Sequence, residues 1–322
     1  MSQTTSPDPF GRSRTQISFD VAFAILVCLA SILGNVLVIY VINKYSEMKT
    51  ITTILIHNLA LTDIFMATLN MPLWAASLYT GRWNFSQGWC DISATVLRTM
   101  GVASMLNMSL IALNRYIIVV KRALYIKFFP SKRVAWLYCG VVWLVSVSIS
   151  VPMLFGWGKI KFHSDSFLCI LSWKEGNFTF AIMQAAMFNV TTCTIFYCYW
   201  KIYQKVKEST NNINSNATQN GVGAPRFDRT DIKLLKTCFT VVCFFIMTWG
   251  TTFIVVSRTA ARGYIPPDVT KVTAYLMYSS SLVNPIIYGV MNPQFKEAFK
   301  KALCCGCYGN DNADQNHARI VE

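Results

Sequence analysis

The chain is short of charge. Only 14% of its 322 residues are Asp, Glu, Lys or Arg, against about 25% in a typical soluble protein. Acids are the scarcer sign, fifteen against 29 bases, and Asp63 is the only one that lies deep in an apolar block. Histidine is nearly missing: His57, His163 and His317 are all there are. No HExxH, no P-loop and no clustered pair of carboxylates occurs. Metal hydrolysis, phosphoryl transfer and paired acid–base chemistry each need one of those sets, so no catalytic residues are assigned and an enzyme is not expected. No strand-like alternation of apolar and polar residues runs through the chain, which excludes a membrane β-barrel. Internal repeats and matched Gly/Pro-broken halves are lacking too, which leaves a transporter or channel as the minor alternative. A cleavable leader is not expected: residues 1–16 are polar, and the apolar block behind them is long enough to span a bilayer.

What the chain has is hydrophobic residues, 53% of the total. They fall in seven blocks, roughly 17–42, 51–78, 91–120, 134–155, 178–202, 234–256 and 272–291. Each is near the ~20 residues that a spanning helix needs. The expected fold is all-α and membrane-embedded: a seven-helix transmembrane bundle over 17–303, between a polar tail (1–16) and a C-terminal tail (304–322). Phe295 and Phe299, four apart among lysines, predict a short amphipathic helix at about 293–303 lying on the membrane surface. Cys304, Cys305 and Cys307 beside it are candidate palmitoylation sites. The Asn-rich tract 208–225 reads as a disordered linker.

The net charge of +14 is one-sided. Lys44, Lys49, Lys121, Arg122, Lys132, Arg133, Lys201, Lys205, Lys236 and Lys300 fall on one side of the seven-span topology. That side is expected to be cytoplasmic, with the N-terminus outside and the protein in the plasma membrane. The same distribution argues against nucleic acid as a partner. Of the eleven cysteines only Cys90 and Cys169 lie in outer segments, so they form the expected disulfide. Asn84 and Asn177 begin glycosylation sequons on that side.

From Cys90 to Lys121 runs the stretch that organises the rest. Leu97, Gly101, Ser104, Met108, Ile111 and Arg115 recur at steps of four and three and share one helix face. Between Leu97 and Arg115 that face climbs about 27 Å, close to a bilayer core. It joins the outer end of the bundle to an arginine at the inner end. Asp63, an intramembrane carboxylate, is a functional-site candidate on cost alone.

These residues together resemble the rhodopsin-like class of G-protein-coupled receptors over nearly the whole chain. The resemblance rests on Asn35 in a GN pair, Leu59–Asp63 as LALTD, Cys90, Asn114-Arg115-Tyr116, Trp143, Cys169, Trp249 and Asn284-Pro285-x-x-Tyr288. Within the class the chain looks most like the melatonin-receptor and opsin branch. The NRY triplet and the run from Ile286 to Phe295 are melatonin-like. Departures are Thr191 and Thr251 where the family's prolines fall in spans five and six, and Met153 and Met187 where melatonin receptors place ligand-facing polar residues. Tyr278 stands at the position of the opsins' retinal-binding lysine, so no retinal Schiff base is expected and no cofactor beyond a possible sodium ion.

The resemblance implies a small extracellular ligand in a pocket of Leu97, Arg98, Gly101, Met187, Trp249, Phe253, Tyr275 and Tyr278. With Arg258, Arg262 and Lys271, Arg98 would give a cationic mouth for an acidic group. The resemblance places a sodium-binding polar cluster at Asn35, Asp63, Ser104, Ser281 and Asn284. It also implies a heterotrimeric G protein, and arrestin, docking at Asn114, Arg115, Tyr116, Tyr199, Asp231 and Tyr288. A non-signalling or constitutively active opsin-like receptor is the alternative.

Overall fold

The computed structural model describes residues 8, 10–172, 178–216, 229–262 and 266–303, with side chains at all of these except 178–181, 184, 209–216, 229–235, 256–257 and 259–262. The helices are α1 (Arg14–Lys44), α2 (Ile51–Leu69), α3 (Met71–Thr80), α4 (Gln87–Val120), α5 (Arg122–Phe128), α6 (Lys132–Ser150), α7 (Phe178–Asn216), α8 (Arg229–Arg262), α9 (Pro267–Met291) and α10 (Pro293–Leu303). With α2 and α3 taken as two halves of one rod, seven long rods make an all-α bundle. Five of them, including the α2–α3 rod, are long and apolar enough to cross a membrane by length and composition. α7 and α9, at 39 and 25 residues, are of spanning length as well.

Local sequence accounts for several of the helix ends. Ser13 caps α1: its hydroxyl accepts from the Gln16 backbone, and Gln16 accepts in return from the Ser13 N–H at 2.8 Å. Two orphan donors are satisfied in one exchange. α2 starts at Thr50 in the same way. Gly81 ends α3 with φ +68°, a left-handed cap that suits glycine. The apolar block 51–78 is broken at Asn70, as Pro72 leads one to expect: at the second position of α3 it carries no N–H for the preceding turn. The break aims the Asn70 side chain inward, where it donates to the Ser93 carbonyl and hydroxyl at 2.8 and 3.0 Å.

Three features depart from the sequence reading. Between α6 and α7 lies an antiparallel hairpin, β1 (Ile160–His163) and β2 (Leu168–Leu171), paired from Ile160↔Leu171 to His163↔Leu168. Strands of four residues leave too short an alternation to detect in the sequence. α7 runs on to Asn216, so residues 208–216 of the tract read as a disordered linker are helical. A short surface helix, α5, fills part of the loop between the third and fourth rods.

The disulfide forms as expected: Cys90 is bonded to Cys169 with Cα atoms 5.3 Å apart, tying β2 to the first turn of α4. Two buried clusters stack along the bundle. One, near Arg115, is built on Leu55, Leu59, Met108, Tyr199, Val242 and Tyr288. The other, near the hairpin, is built on Trp74, Leu97, Met100, Phe167, Met277 and Tyr278. Trp249 packs against both. α10 follows the predicted 293–303 span, its Phe295 buried on the Tyr288 ring at 5.3 Å.

Between the clusters a polar network crosses three rods. Asn58 donates to Asn107 at 2.7 Å and accepts from the Trp143 indole at 2.9 Å. Asn107 also reaches the Thr62 hydroxyl at 3.4 Å. Removing Asn58 leaves one donor, the Trp143 indole N–H, and one acceptor, the Asn107 side-chain oxygen, unmet. Asn58→Leu is therefore expected to destabilise the purified protein by about 1–3 kcal/mol, read as a lower melting temperature in detergent. An unchanged melt would show that the network carries no stability.

Candidate functional site

α4 sets the site. Its expected face is buried from end to end: Leu97, Gly101, Ser104, Met108, Ile111 and Arg115 are all inside the bundle. Gly101 matters for close approach. A Cβ placed there would fall 2.4 Å from Cη2 of Trp249, inside any tolerable contact, so the indole lies directly on the α4 backbone. Trp249 also donates to the Ser280 hydroxyl at 3.3 Å and stacks on Phe245.

Above this floor the interior is filled by the chain itself. Tyr278 is fully buried and its hydroxyl donates to the Asn70 side chain. The Trp74 ring lies 4.4 Å from that of Tyr278 and 5.5 Å from that of Tyr275. From the hairpin, Phe167 enters the same cluster with φ +57°, a conformation that a bulky residue adopts rarely, and is 4% exposed. The structure thus brings together Leu97, Gly101, Trp249, Tyr275 and Tyr278 of the expected pocket. Phe253 is instead stacked on Phe188 of α7 at 4.9 Å, and Met187 packs with the cluster near Arg115. Arg98 is buried on α4.

Of the expected cationic mouth, Arg258 is exposed and the Arg262 side chain lies outside the described residues. Lys271 is drawn to Asp20 at 3.3 Å. Asp20, 3% exposed at the start of α1, also accepts from the Tyr275 hydroxyl at 2.5 Å and from Arg12 at 3.5 Å. Arg12 in turn bonds Asp8 at 2.9 Å and the Leu78 carbonyl at 2.8 Å, and covers the Phe167 ring at 4.4 Å. Its guanidinium, hydrogen-bonded to Asp8, holds that carboxyl below the usual range. Sequence reasoning missed this cluster. Its one signal was an acid inside the first apolar block, overlooked beside the deeper Asp63.

In the bundle's middle, Asn284 donates to Asp63 at 2.7 Å and the Ser281 hydroxyl reaches the same carboxyl. Asn35 joins by donating to the Ser281 carbonyl at 3.0 Å, and Ser104 is buried on α4. At the opposite end from the hairpin, Arg115 is 8% exposed and lies beside Cys238 of α8. Tyr199 and Tyr288 are buried close by. Asn114 faces away, accepting from Thr52 at 2.9 Å, and Tyr116 meets the Tyr197 ring at 5.9 Å. Asp231 lies in α8, seven residues and about 10 Å of helix axis from Cys238; its side chain is outside the described residues, as are Asn177, Cys304, Cys305 and Cys307. Asn84 is exposed in the loop before α4.

The Gly101–Trp249 contact gives a direct prediction. Gly101→Ala forces the indole to shift and is expected to cost about 1–3 kcal/mol of stability. Gly250→Ala, whose new Cβ would meet nothing closer than 3.9 Å, is expected to be tolerated. Equal melting temperatures for the two variants would contradict the contact.

Comparison with known proteins agrees with this arrangement. The family model of the 7 transmembrane receptors (rhodopsin family) matches residues 34–288. Melanopsin of Felis catus is 29% identical over 294 residues, covering 87% of this chain and 60% of that protein. G-protein coupled receptor 161 of Xenopus tropicalis is 26% identical over 321 residues, covering 91% of this chain and 60% of that protein. The chain thus spans about 60% of the length of these curated relatives. The crystal structure of squid rhodopsin shares the fold, with a TM-score of 0.75 at 22% identity, over 97% of this chain and 94% of that one. The match over 34–288 settles the family: this chain is a multi-pass membrane protein that belongs to the rhodopsin family of seven-transmembrane receptors.

Proposed function

We propose that the protein is a plasma-membrane receptor, N-terminus outside, that answers a small extracellular ligand by activating a heterotrimeric G protein at its Arg115 end, with arrestin as a further partner there. The observation that carries the reading is the buried face of α4. It runs without a break from Gly101, under the Trp249 indole, to Arg115, beside Tyr199, Tyr288 and Cys238. A ligand that binds one position of α8 better than another shifts a pre-existing equilibrium, and α8 carries both Trp249 and Cys238. Opening of α8 at the basic end would leave a groove for a partner helix. With Tyr278 at the opsin lysine position, retinal has no amine to condense with, so the ligand is held without a covalent bond.

A second reading, signalling without any added ligand, is favoured by the filled interior. Phe167, Trp74 and Tyr278 occupy the space above Trp249, and Arg12 fixes Phe167 from outside. Guanine-nucleotide exchange on a purified heterotrimer, with the receptor in nanodiscs, tests both. Exchange that falls to background in Arg115→Ala supports coupling. Wild-type exchange at background with every candidate ligand and every heterotrimer tried would sink it. Basal exchange lowered by Phe167→Ala favours the second reading.

Two residue-level expectations follow from the same proposal. If Arg115 alternates between Cys238 and Asp231, the acid holds the closed position, and Asp231→Ala raises basal exchange at equal surface expression. Unchanged basal exchange would remove Asp231 from the mechanism. If the Asp63 cluster holds a hard cation through carboxyl, hydroxyl and amide oxygens, added sodium chloride lowers agonist affinity or basal exchange more than choline chloride does. Asp63→Asn then abolishes the difference. A sodium effect that survives the substitution would rule the site out.

A further inference from the structure

Among the described residues, α7 and α8 face each other across a sparsely packed seam. α8 packs chiefly on α9, and α7 on α4, while α7 and α8 touch each other at few points. Along the bilayer-facing side of that seam the two helices leave a groove of about 200 Å³. Phe196 and Tyr199 line one wall; Phe239, Cys243 and Met247 line the other. The lining is almost wholly carbon, and it opens outward: Phe196, Phe239 and Met247 are 54, 45 and 52% exposed. At its floor the Tyr199 and Phe239 rings meet edge to face at 5.3 Å.

Charge and periodicity mark one end of the groove. Lys236 is exposed one turn before Phe239 and shares its face, as 236, 239, 243 and 247 recur at steps of three and four. On α7 the steps from Phe196 through Trp200 and Tyr203 lead to an exposed Lys207. The nearby acid Glu208 is taken by Lys205 at 3.0 Å. Beyond the Tyr199–Phe239 pair, Lys236 lies about one turn and Lys207 about two turns along their helices, at the same end of an apolar slot that climbs about 16 Å from Lys236 to Met247. A headgroup of negative charge suits the mouth and hydrocarbon suits the slot; the lining offers no strong partner for a sterol hydroxyl.

We propose that this groove holds one acyl chain of an anionic phospholipid, with its headgroup between Lys207 and Lys236. The chain lies on the ring of Tyr199, whose hydroxyl is buried near Arg115. An occupied groove would press between α7 and α8 where they must part; that consequence rests on the receptor reading above, whereas the binding does not.

The test uses the full chain in phosphatidylcholine nanodiscs doped with a phosphatidylserine probe that carries a diazirine in one acyl chain. Adducts are mapped by mass spectrometry. Labelling is expected within 195–199 and 239–247. Cys243→Trp and Met247→Trp, both at exposed positions, should fill the slot and remove it while the protein stays monodisperse. Lys207→Gln with Lys236→Gln should lower labelling by the phosphatidylserine probe about thirtyfold and leave a phosphatidylcholine probe unaffected. Adducts scattered evenly round the bundle overturn the site. So does equal labelling of the wild type by the two probes, or full labelling of both tryptophan variants. Because labelling needs no G protein, it stands or falls apart from nucleotide exchange.

Discussion

Inside a bilayer a polar side chain has no water to bond, so each one that finds no partner, on its own helix or on another, destabilises the fold. This constraint organises the molecule. Asn58 is met by Asn107 and Trp143, Asp63 by Asn284 and Ser281, and Asn70 by Ser93 and Tyr278. Each set joins helices that are distant in sequence. Shape alone packs Leu and Val in many registers; a directional bond admits few. The polar residues therefore select the register in which the hydrophobic clusters then close.

The same constraint explains where the molecule can move. α4 is held on one side by the Asn58 and Asn70 groups and on the other by the hairpin disulfide. α8 has no such ties to α7 among the described residues: rings and aliphatic side chains make their contact, and Thr251, where the family places proline, only bonds its own helix at the Thr248 carbonyl. A helix fixed by packing on one neighbour and loosely faced by another is the natural moving part. Arg115 faces that part beside the Cys238 thiol, at best a weak acceptor.

Much of this was legible in the sequence. Seven apolar blocks gave seven rods, the period of α4 gave its buried face, and the two outer cysteines gave the disulfide. Those signals are one-dimensional: length, period and sidedness. What escaped needed the third dimension. Asp20, Arg12 and Lys271 are far apart in sequence, and nothing local marks them as a cluster. Phe167 reads as a loop residue until the hairpin turns it inward. The break at Asn70 was foreshadowed by Pro72, yet only the structure shows that it frees an amide to hold Tyr278. Lys271 was read with the pocket because it is basic and near the mouth; a buried carboxylate one helix away decides its direction instead.

The central claim is that α8 parts from α4 at the basic end when a partner docks. Spin labels on a cysteine-depleted chain, one replacing Lys121 at the end of α4 and one replacing Lys236 on α8, measure that distance by double electron–electron resonance. With nucleotide-free heterotrimer added, the account predicts a longer-distance population that Arg115→Ala reduces. A single distance, unchanged by every heterotrimer that stimulates or binds the receptor, would contradict it.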